Sequence, residues 1–273
     1  MTPPASNPTG EGKPRMERDV RILSQEDPSR FIDAWYELAG AQHFWMQWRH
    51  RVFCRFCRDL SIPLDEPWRG LDVGCGQGTF IGQLEADTAW ITDGADLDLT
   101  SMQRSAARKG EFYFYNILER RDEFREKYDF IVLFDVIEHI EDAAAFVTAC
   151  RFHLRPGGYL FINVPAGQHL YGPYDKAAGH FRRYDKPLMR QHIPAEFTVC
   201  GMRYWGFTMV PLLMLRNLVT SEKASTDDII VKGFRPPGRF AHAVLKTVMK
   251  METTVIHNPF AGSSLMAVFR LGA

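Results

Sequence analysis

The apolar and polar positions change rhythm along the chain. Over residues 31–60, Phe44, Trp48, Val52, Phe56 and Leu60 recur every four positions, with Trp45 and Phe53 beside them. That is the stripe of a helix burying one face, and Gly40 is the break expected to split the segment into two helices. Beyond Pro67 the period shortens. Apolar runs at 71–73, 91–96, 112–115, 129–135 and 159–164 alternate with helical patterns at 79–84, 100–109 and 142–154. The run at 129–135 is apolar throughout between two acids, as a strand buried on both faces should be. Strands alternating with helices predict an α/β fold with a doubly wound parallel sheet.

Three segments leave this alternation. Residues 165–185 read as an irregular loop. Residues 209–262, with Pro211, Pro236, Pro237 and Pro259, read as an insertion with helices near 211–219 and 239–252, and 264–270 return as a last strand. At the other end Pro3, Pro4, Pro8, Pro14 and Pro28 are interleaved with Gly, Ser and Thr, which offers little to bury. The expected division is therefore a disordered tail (1–28), an N-terminal helical cap (29–66), a core (67–208), a helical insertion (209–262) and a final core strand (263–273).

Charge and cysteines narrow the function classes. The 33 basic and 33 acidic residues cancel, which removes the general electrostatic drive of a nucleic-acid binder. The uncharged run at 204–215 is twelve residues long, against about 20 for a membrane-spanning helix. It can instead lie on a membrane as a peripheral contact through 204–220, or pack as a lid. Residues 1–19 show no secretory signal, and five irregularly spaced cysteines fit a reducing, cytoplasmic setting. Cys54 and Cys57 form a CxxC, but no second pair has matching spacing, so core packing is expected rather than zinc.

The candidate chemistry starts at Gly74-Cys75-Gly76-Gln77-Gly78, between a strand and a helix. Such a turn makes a ligand crevice at the carboxyl edge of the sheet, where glycines allow close approach and the helix offers free N–H groups. Asp96 lies 22 residues after Gly74, the distance of an acid on the second strand able to hold two ribose hydroxyls. A dinucleotide site asks for G-x-G-x-x-G. Here the third glycine comes one place early, and Asp72 precedes the first by two. A tight turn without a ligand is the remaining alternative.

Taken together, these residues resemble the class I S-adenosylmethionine (SAM)-dependent methyltransferases. Leu71 to Phe80 is similar to their first motif, Gly94-Ala95-Asp96-Leu97-Asp98 to the second, Tyr115-Asn116-Ile117 to the adenine contact, Tyr128 to His139 to the fourth, and Leu154-Arg155-Pro156-Gly157-Gly158 to the turn into strand five. His43-Phe44-Trp45 with Arg49 and Arg51, Gly179-His180-Phe181-Arg182-Arg183-Tyr184 and Pro259-Phe260-Ala261-Gly262-Ser263-Ser264-Leu265 resemble a subgroup of small-molecule type. The resemblance implies a Rossmann-like, mostly parallel seven-stranded sheet with an antiparallel last strand. It implies SAM as cofactor, with Gly74, Cys75, Gly76 and Gly78 around the methionine part and Asp72 helping to position the amino group. Asp96 would hold the ribose, Leu97 pack on adenine, Asn116 and Ile117 meet the adenine edge, and Asp135 and Val136 line the cavity near the sulfonium. Asn116 departs from the Asp more frequent there.

The expected reaction is in-line methyl transfer to a small-molecule acceptor, at oxygen before nitrogen. A hydroxyl acceptor needs a base, and the candidates are His139, after strand four, and His180, with His169, Arg182, Arg183 and Tyr184 expected around the substrate. No metal is assigned, although Asp135-x-x-Glu138-His139 with a loop histidine is a set able to hold a divalent ion that would lower an acceptor hydroxyl's pKa. The competing readings are a non-catalytic partner protein of the same fold, a nicotinamide oxidoreductase, and a methyltransferase acting on a lipid-linked or nucleic-acid acceptor. The oligomeric state is not legible.

Overall fold

The structure, a computed structural model, describes residues 18–25, 43–219, 229, 238–256 and 258–273. Most of the expected tail, the break at Gly40 and the middle of the insertion lie outside the described residues.

The apolar runs after Pro67 become strands: β2 (Arg69–Val73), β3 (Ile91–Asp96), β4 (Phe112–Phe114), β5 (Tyr128–Phe134) and β6 (Leu154–Pro165). They join β1 (Arg21–Ile22), β7 (Phe197–Trp205) and β8 (Ser264–Leu271) in one sheet of order β1-β4-β3-β2-β5-β6-β8-β7. β1 through β6 pair in parallel, while β8 runs antiparallel to both β6 and β7. The sheet is thus the expected doubly wound, mostly parallel one with an antiparallel last strand, plus a two-residue edge strand from within the segment expected as tail. From β2 the chain winds outward to β3 and β4, then returns to place β5 on the other side of β2. The order reverses there, and this reversal opens a crevice at the carboxyl ends of the strands.

The helices are α1 (Phe44–Asp59), α2 (Thr79–Asp87), α3 (Leu99–Gln103), α4 (Ala143–His153), α5 (Pro173–Ala177), α6 (Lys186–His192), α7 (Val210–Val219) and α8 (Arg239–Val255). β5 shows why both faces need helices. Ile131 and Leu133 pack with Val147 and Cys150 of α4, whereas Phe130, Val132 and Phe134 pack with Trp48, Phe53 and Phe56 of α1. Alternate side chains of one strand point to opposite faces, so a fully apolar strand is buried only when both are covered. The four-residue stripe of α1 is the cover on the second face. Cys54 and Cys57 sit inside that packing, with the Cys54 thiol pushed up to about 11 chiefly by burial. Among the described residues no helix is long and apolar enough to cross a membrane.

Candidate functional site

The crevice is a cavity of about 780 Å³ reached by the ends of β2, β3, β4 and β5, a size suited to a cofactor and a small acceptor together. Its first half is built by the glycine turn. Gly74 and Cys75 both donate their N–H groups to the Ala95 carbonyl, at 2.8 and 3.3 Å, which ties the turn to β3. Gly74 has φ +75°, and a Cβ there would stand 2.6 Å from Cγ2 of Val136. Only glycine combines that backbone with that approach. Asp96 closes the other side. Its carboxylate accepts from the N–H of Gly76 at 2.7 Å and of Asp98 at 2.9 Å. Burial raises its pKa, and the N–H donors of Gly76, Asp98 and Leu97 oppose that rise. Asp72, at the floor, is fully buried, and burial pushes its carboxyl up to about 7 against the pull of Arg49. Leu97, Asn116 and Ile117 line the same half. The Asn116 side-chain oxygen accepts from Leu118 N–H at 3.0 Å and so caps the short helix that follows. Glycine backbone against one end, a fixed acid in the middle and an apolar slot at the other end are the donor set that a SAM molecule requires.

The second half is centred on the end of β5. Asp135 adopts φ +59°, uncommon for a non-glycine residue. Both its oxygens are held. Asn163 donates to one at 2.8 Å, itself accepting from Trp205 Nε1 at 2.9 Å, and Arg49 of α1 reaches the other at 2.5 Å. Val136 follows at the cavity wall.

His139 and His180 meet edge-on, with ring centroids 4.6 Å apart. Burial first, then the neighbouring His180, lowers His139 to about 4, so its ring is neutral at physiological pH. Asp175 of α5 lies 2.9 Å from Nδ1 of His180 and also accepts from Arg183 Nε at 2.8 Å and Gly172 N–H at 3.0 Å. Burial alone would raise the Asp175 carboxyl, but the hydrogen bonds and charges of His180 and Arg183 outweigh it and hold it below its usual value. An ionised acceptor at Nδ1 places a proton on that nitrogen, so in the base form of the ring Nε2 is the accepting nitrogen. Glu138 is wholly buried beside them, and its carboxyl oxygens find no hydrogen-bond partner among the described residues. Burial, reinforced by Asp135, raises its pKa well above normal. Glu138, His139 and His180 each offer a ligand atom within 4.8 Å of the others.

The sequence-selected residues thus divide. Asp72, Gly74, Cys75, Gly76, Asp96, Leu97, Asn116, Ile117, Asp135, Val136, His139, His180 and Arg183 line one cavity. Gly78, His169, Arg182 and Tyr184 do not line it. Gly78 caps α2 with φ +67°. His169 is exposed on a short turn. Arg182 turns outward to donate to the Glu141 carbonyl at 2.8 Å. Tyr184 is buried, with its hydroxyl 3.1 Å from Nδ1 of His192. Sequence reasoning passed over Arg49, Asp175 and Arg216 as site residues. Asp175, five positions before His180, carried the one local signal.

The methyltransferase-domain family model matches residues 41–204. A ubiquinone biosynthesis O-methyltransferase of Cereibacter sphaeroides is 33% identical over 122 residues, 42% of this chain and 48% of that protein. One of Brucella ovis is 28% identical over 182 residues, 60% of this chain and 73% of that protein. The chain therefore spans about half the length of the first of these relatives. Among solved structures, the [4+2]-cyclase SpnF superposes with TM-score 0.55 at 14% identity, covering 85% of each chain. The phosphoethanolamine N-methyltransferase 2 of Haemonchus contortus, solved with phosphomonomethylethanolamine and S-adenosylhomocysteine, superposes with TM-score 0.52 at 15% identity, covering 90% of this chain and 59% of that one. These likenesses are of fold.

Proposed function

Because this chain belongs to the SAM-dependent methyltransferase-domain family, matched over residues 41–204, we propose that it transfers a methyl group from SAM to a hydroxyl of a small-molecule acceptor. The observation that carries this reading is the Asp175–His180 pair at 2.9 Å, with His180 lining the same cavity as the glycine turn and Asp96.

In this reading Gly74, Cys75 and Gly76 would receive the methionine part, and Asp72 would help to position its ammonium group. Asp96 holds the ribose hydroxyls. Leu97 packs on adenine, with Asn116 and Ile117 at its edge. Bound SAM supplies an electrophilic methyl on a sulfonium, whose departure leaves a neutral thioether and free S-adenosylhomocysteine. The protein's work is alignment and proton removal. Nε2 of His180 would take the proton of the acceptor hydroxyl, and Asp175 would stabilise the imidazolium that results. Arg183 keeps Asp175 ionised. Asp135, fixed by Arg49 and Asn163, and Val136 shape the wall near the reacting carbon. The acceptor occupies the lobe under α7 and α8, bounded by Tyr174, Met209, Leu212, Leu213, Arg216 and Leu245. Residues 209–216 supply part of that lobe's wall.

A second reading is favoured by one observation, the buried and unpartnered carboxyl of Glu138 beside two imidazoles. A hard divalent ion held by Glu138, His139 and His180 would satisfy that carboxylate and acidify the acceptor hydroxyl directly.

The test is calorimetric titration with SAM, S-adenosylhomocysteine and NAD, followed by an acceptor screen with methyl-labelled SAM. Micromolar binding of both adenosyl ligands but not NAD is expected, and His180→Ala should keep that binding while losing turnover. Absence of binding by either adenosyl ligand would overturn the proposal.

A further inference from the structure

Fourteen large apolar side chains are exposed among the described residues, and nine of them lie between Leu212 and Phe260. Their arrangement is regular. On α7, Leu212, Leu215 and Leu218 follow at three-residue spacing and are 48%, 56% and 84% exposed. Met209, Leu213 and Arg216 lie on the other side and line the cavity. α8 repeats the pattern. Val244, Met251 and Val255 form an outer stripe at helical spacing, while Leu245 and Met249 point inward and the Glu252 carboxylate is buried. A helix apolar on its outer face as well as its inner one is not the usual solvent-facing helix.

The bearing elements are locked together. Glu252 of α8 accepts from the N–H groups of Gly206, Phe207 and Thr208 at 2.8–3.0 Å and from the Thr208 hydroxyl at 2.6 Å, which fixes the entry to α7. The Phe207 ring meets Phe260 at 5.4 Å, and Phe260 itself is 86% exposed. This clamp holds α8, the entry to α7 and the 258–262 loop as one rim beside the acceptor lobe, rather than as three scattered residues.

Charge indicates what the rim meets. α7 contains no acid. The one acid of α8 is Glu252, turned inward to the clamp, whereas Lys250 is exposed and Lys246 half-exposed. The 258–263 loop carries no charge. An apolar stripe flanked by lysines, with no carboxylate facing out among the described residues of α7, α8 and the loop, is complementary to an anionic lipid surface. The inner faces of the same two helices, through Leu213 and Leu245, border the acceptor lobe, and Leu212 stands at the edge between the inner and outer faces of α7. A second copy of the chain seated on the rim would close that entrance, whereas a bilayer would supply it.

Resting on the methyltransferase reading above, we propose that the outer faces of α7 and α8 with Phe260 dock on an anionic bilayer, and that the acceptor is an amphiphile passing between these helices with its apolar tail still in the lipid. The Arg216 face of α7 meets the acceptor lobe, and the Leu218 face meets the membrane.

Co-sedimentation of the full chain with phosphatidylglycerol vesicles and with pure phosphatidylcholine vesicles tests this. Binding to the first and at least about tenfold weaker binding to the second is expected. Leu215→Asp with Leu218→Asp, and separately Met251→Asp with Val255→Asp, should each lower phosphatidylglycerol binding about tenfold or more. Lys246→Glu with Lys250→Glu should lower it without removing apolar surface. None of these residues is placed in the catalytic machinery, so SAM affinity measured on the same preparations should not change. Failure to bind either vesicle, equal binding to both, or binding untouched by all three variants would each overturn the proposal. So would a concentration-dependent dimer, seen by light scattering, that the α7 variant dissolves. Loss of SAM binding by the unmodified protein would instead strike the underlying methyltransferase reading.

Discussion

Arg49 on α1 reaches across to within 2.5 Å of the carboxylate of Asp135 at the end of β5. Eighty-six residues separate the two, and the guanidinium is almost wholly buried where they meet. The contact ties the helical cap to the cavity wall and holds Asp135 in its left-handed conformation. Removing one partner of a buried pair costs more than removing both, because it strands a charge. Arg49→Met should therefore lower stability by about 3 kcal/mol, and adding Asp135→Asn should recover part of that. Urea unfolding of the four proteins of this cycle measures the coupling. A coupling near zero would show that the cap is held by its apolar stripe alone.

Asp96 meets the glycine turn in the same pre-set way. Its two N–H contacts show that the carboxylate is fixed before any ligand arrives. Hydrogen bonds to a charged group contribute about 1.5–3 kcal/mol, so Asp96→Ala should weaken SAM binding about 10- to 150-fold. Asp96→Asn, which keeps the shape and one acceptor oxygen, should lose less. Calorimetry on both variants checks the order, and equal affinity for all three proteins would remove Asp96 from the cofactor site.

What was legible in the sequence was what is local. The glycine turn, Asp96 and the wholly apolar β5 each announce themselves within a few residues, because one strand and its turn determine them. β7 was missed because it is a sheet-edge strand: most of its side chains are half-buried and its register slips between Val199 and Gly201. β1 was missed because two residues pinned to Tyr113 and Phe114 have no pattern of their own. The site followed the same rule. Arg49 and Arg216 belong to it only because α1 and α7 fold over the crevice. His169 and Arg182 neighbour His180 in sequence, yet the loop's own turns direct them outward, a choice no periodicity records.

Acid should expose a buried histidine that does not itself line the cavity. His153 is fully buried, with Nδ1 2.9 Å from the Ala149 carbonyl and Nε2 2.9 Å from the Tyr115 hydroxyl. The carbonyl can only accept, so Nδ1 carries the proton and Nε2 accepts from Tyr115. A second proton has no place, and burial lowers the ring to about 4 from 6.5. Because the folded value is the lower one, the unfolded chain binds a proton that the folded chain refuses between these limits. Stability contributed here is complete above pH 6.5 and is lost as pH falls towards 4, by at most about 3 kcal/mol. Denaturant midpoints at pH 7, 6 and 5 should fall less steeply for His153→Gln than for the unmodified protein. Parallel slopes would show that other groups dominate.

The decisive pair for the reaction is Asp175 and His180. If the carboxylate orients His180 as base, Asp175→Asn should lower kcat about 100-fold or more while leaving the KM for SAM in place. Because Asp175 also anchors Arg183, a fall in Tm is expected too and is not diagnostic. Non-additivity is. His180→Gln removes the group that Asp175 serves, so the double variant should be no slower than His180→Gln alone. A purely structural Asp175 would instead slow both backgrounds equally. Chelation separates this from the alternative at Glu138. Under the base reading EDTA leaves turnover unchanged, and Glu138→Gln is tolerated because burial already favours the neutral carboxyl that glutamine mimics. Turnover abolished by EDTA, restored by manganese and absent in Glu138→Gln would transfer proton removal from His180 to an ion held by Glu138, His139 and His180.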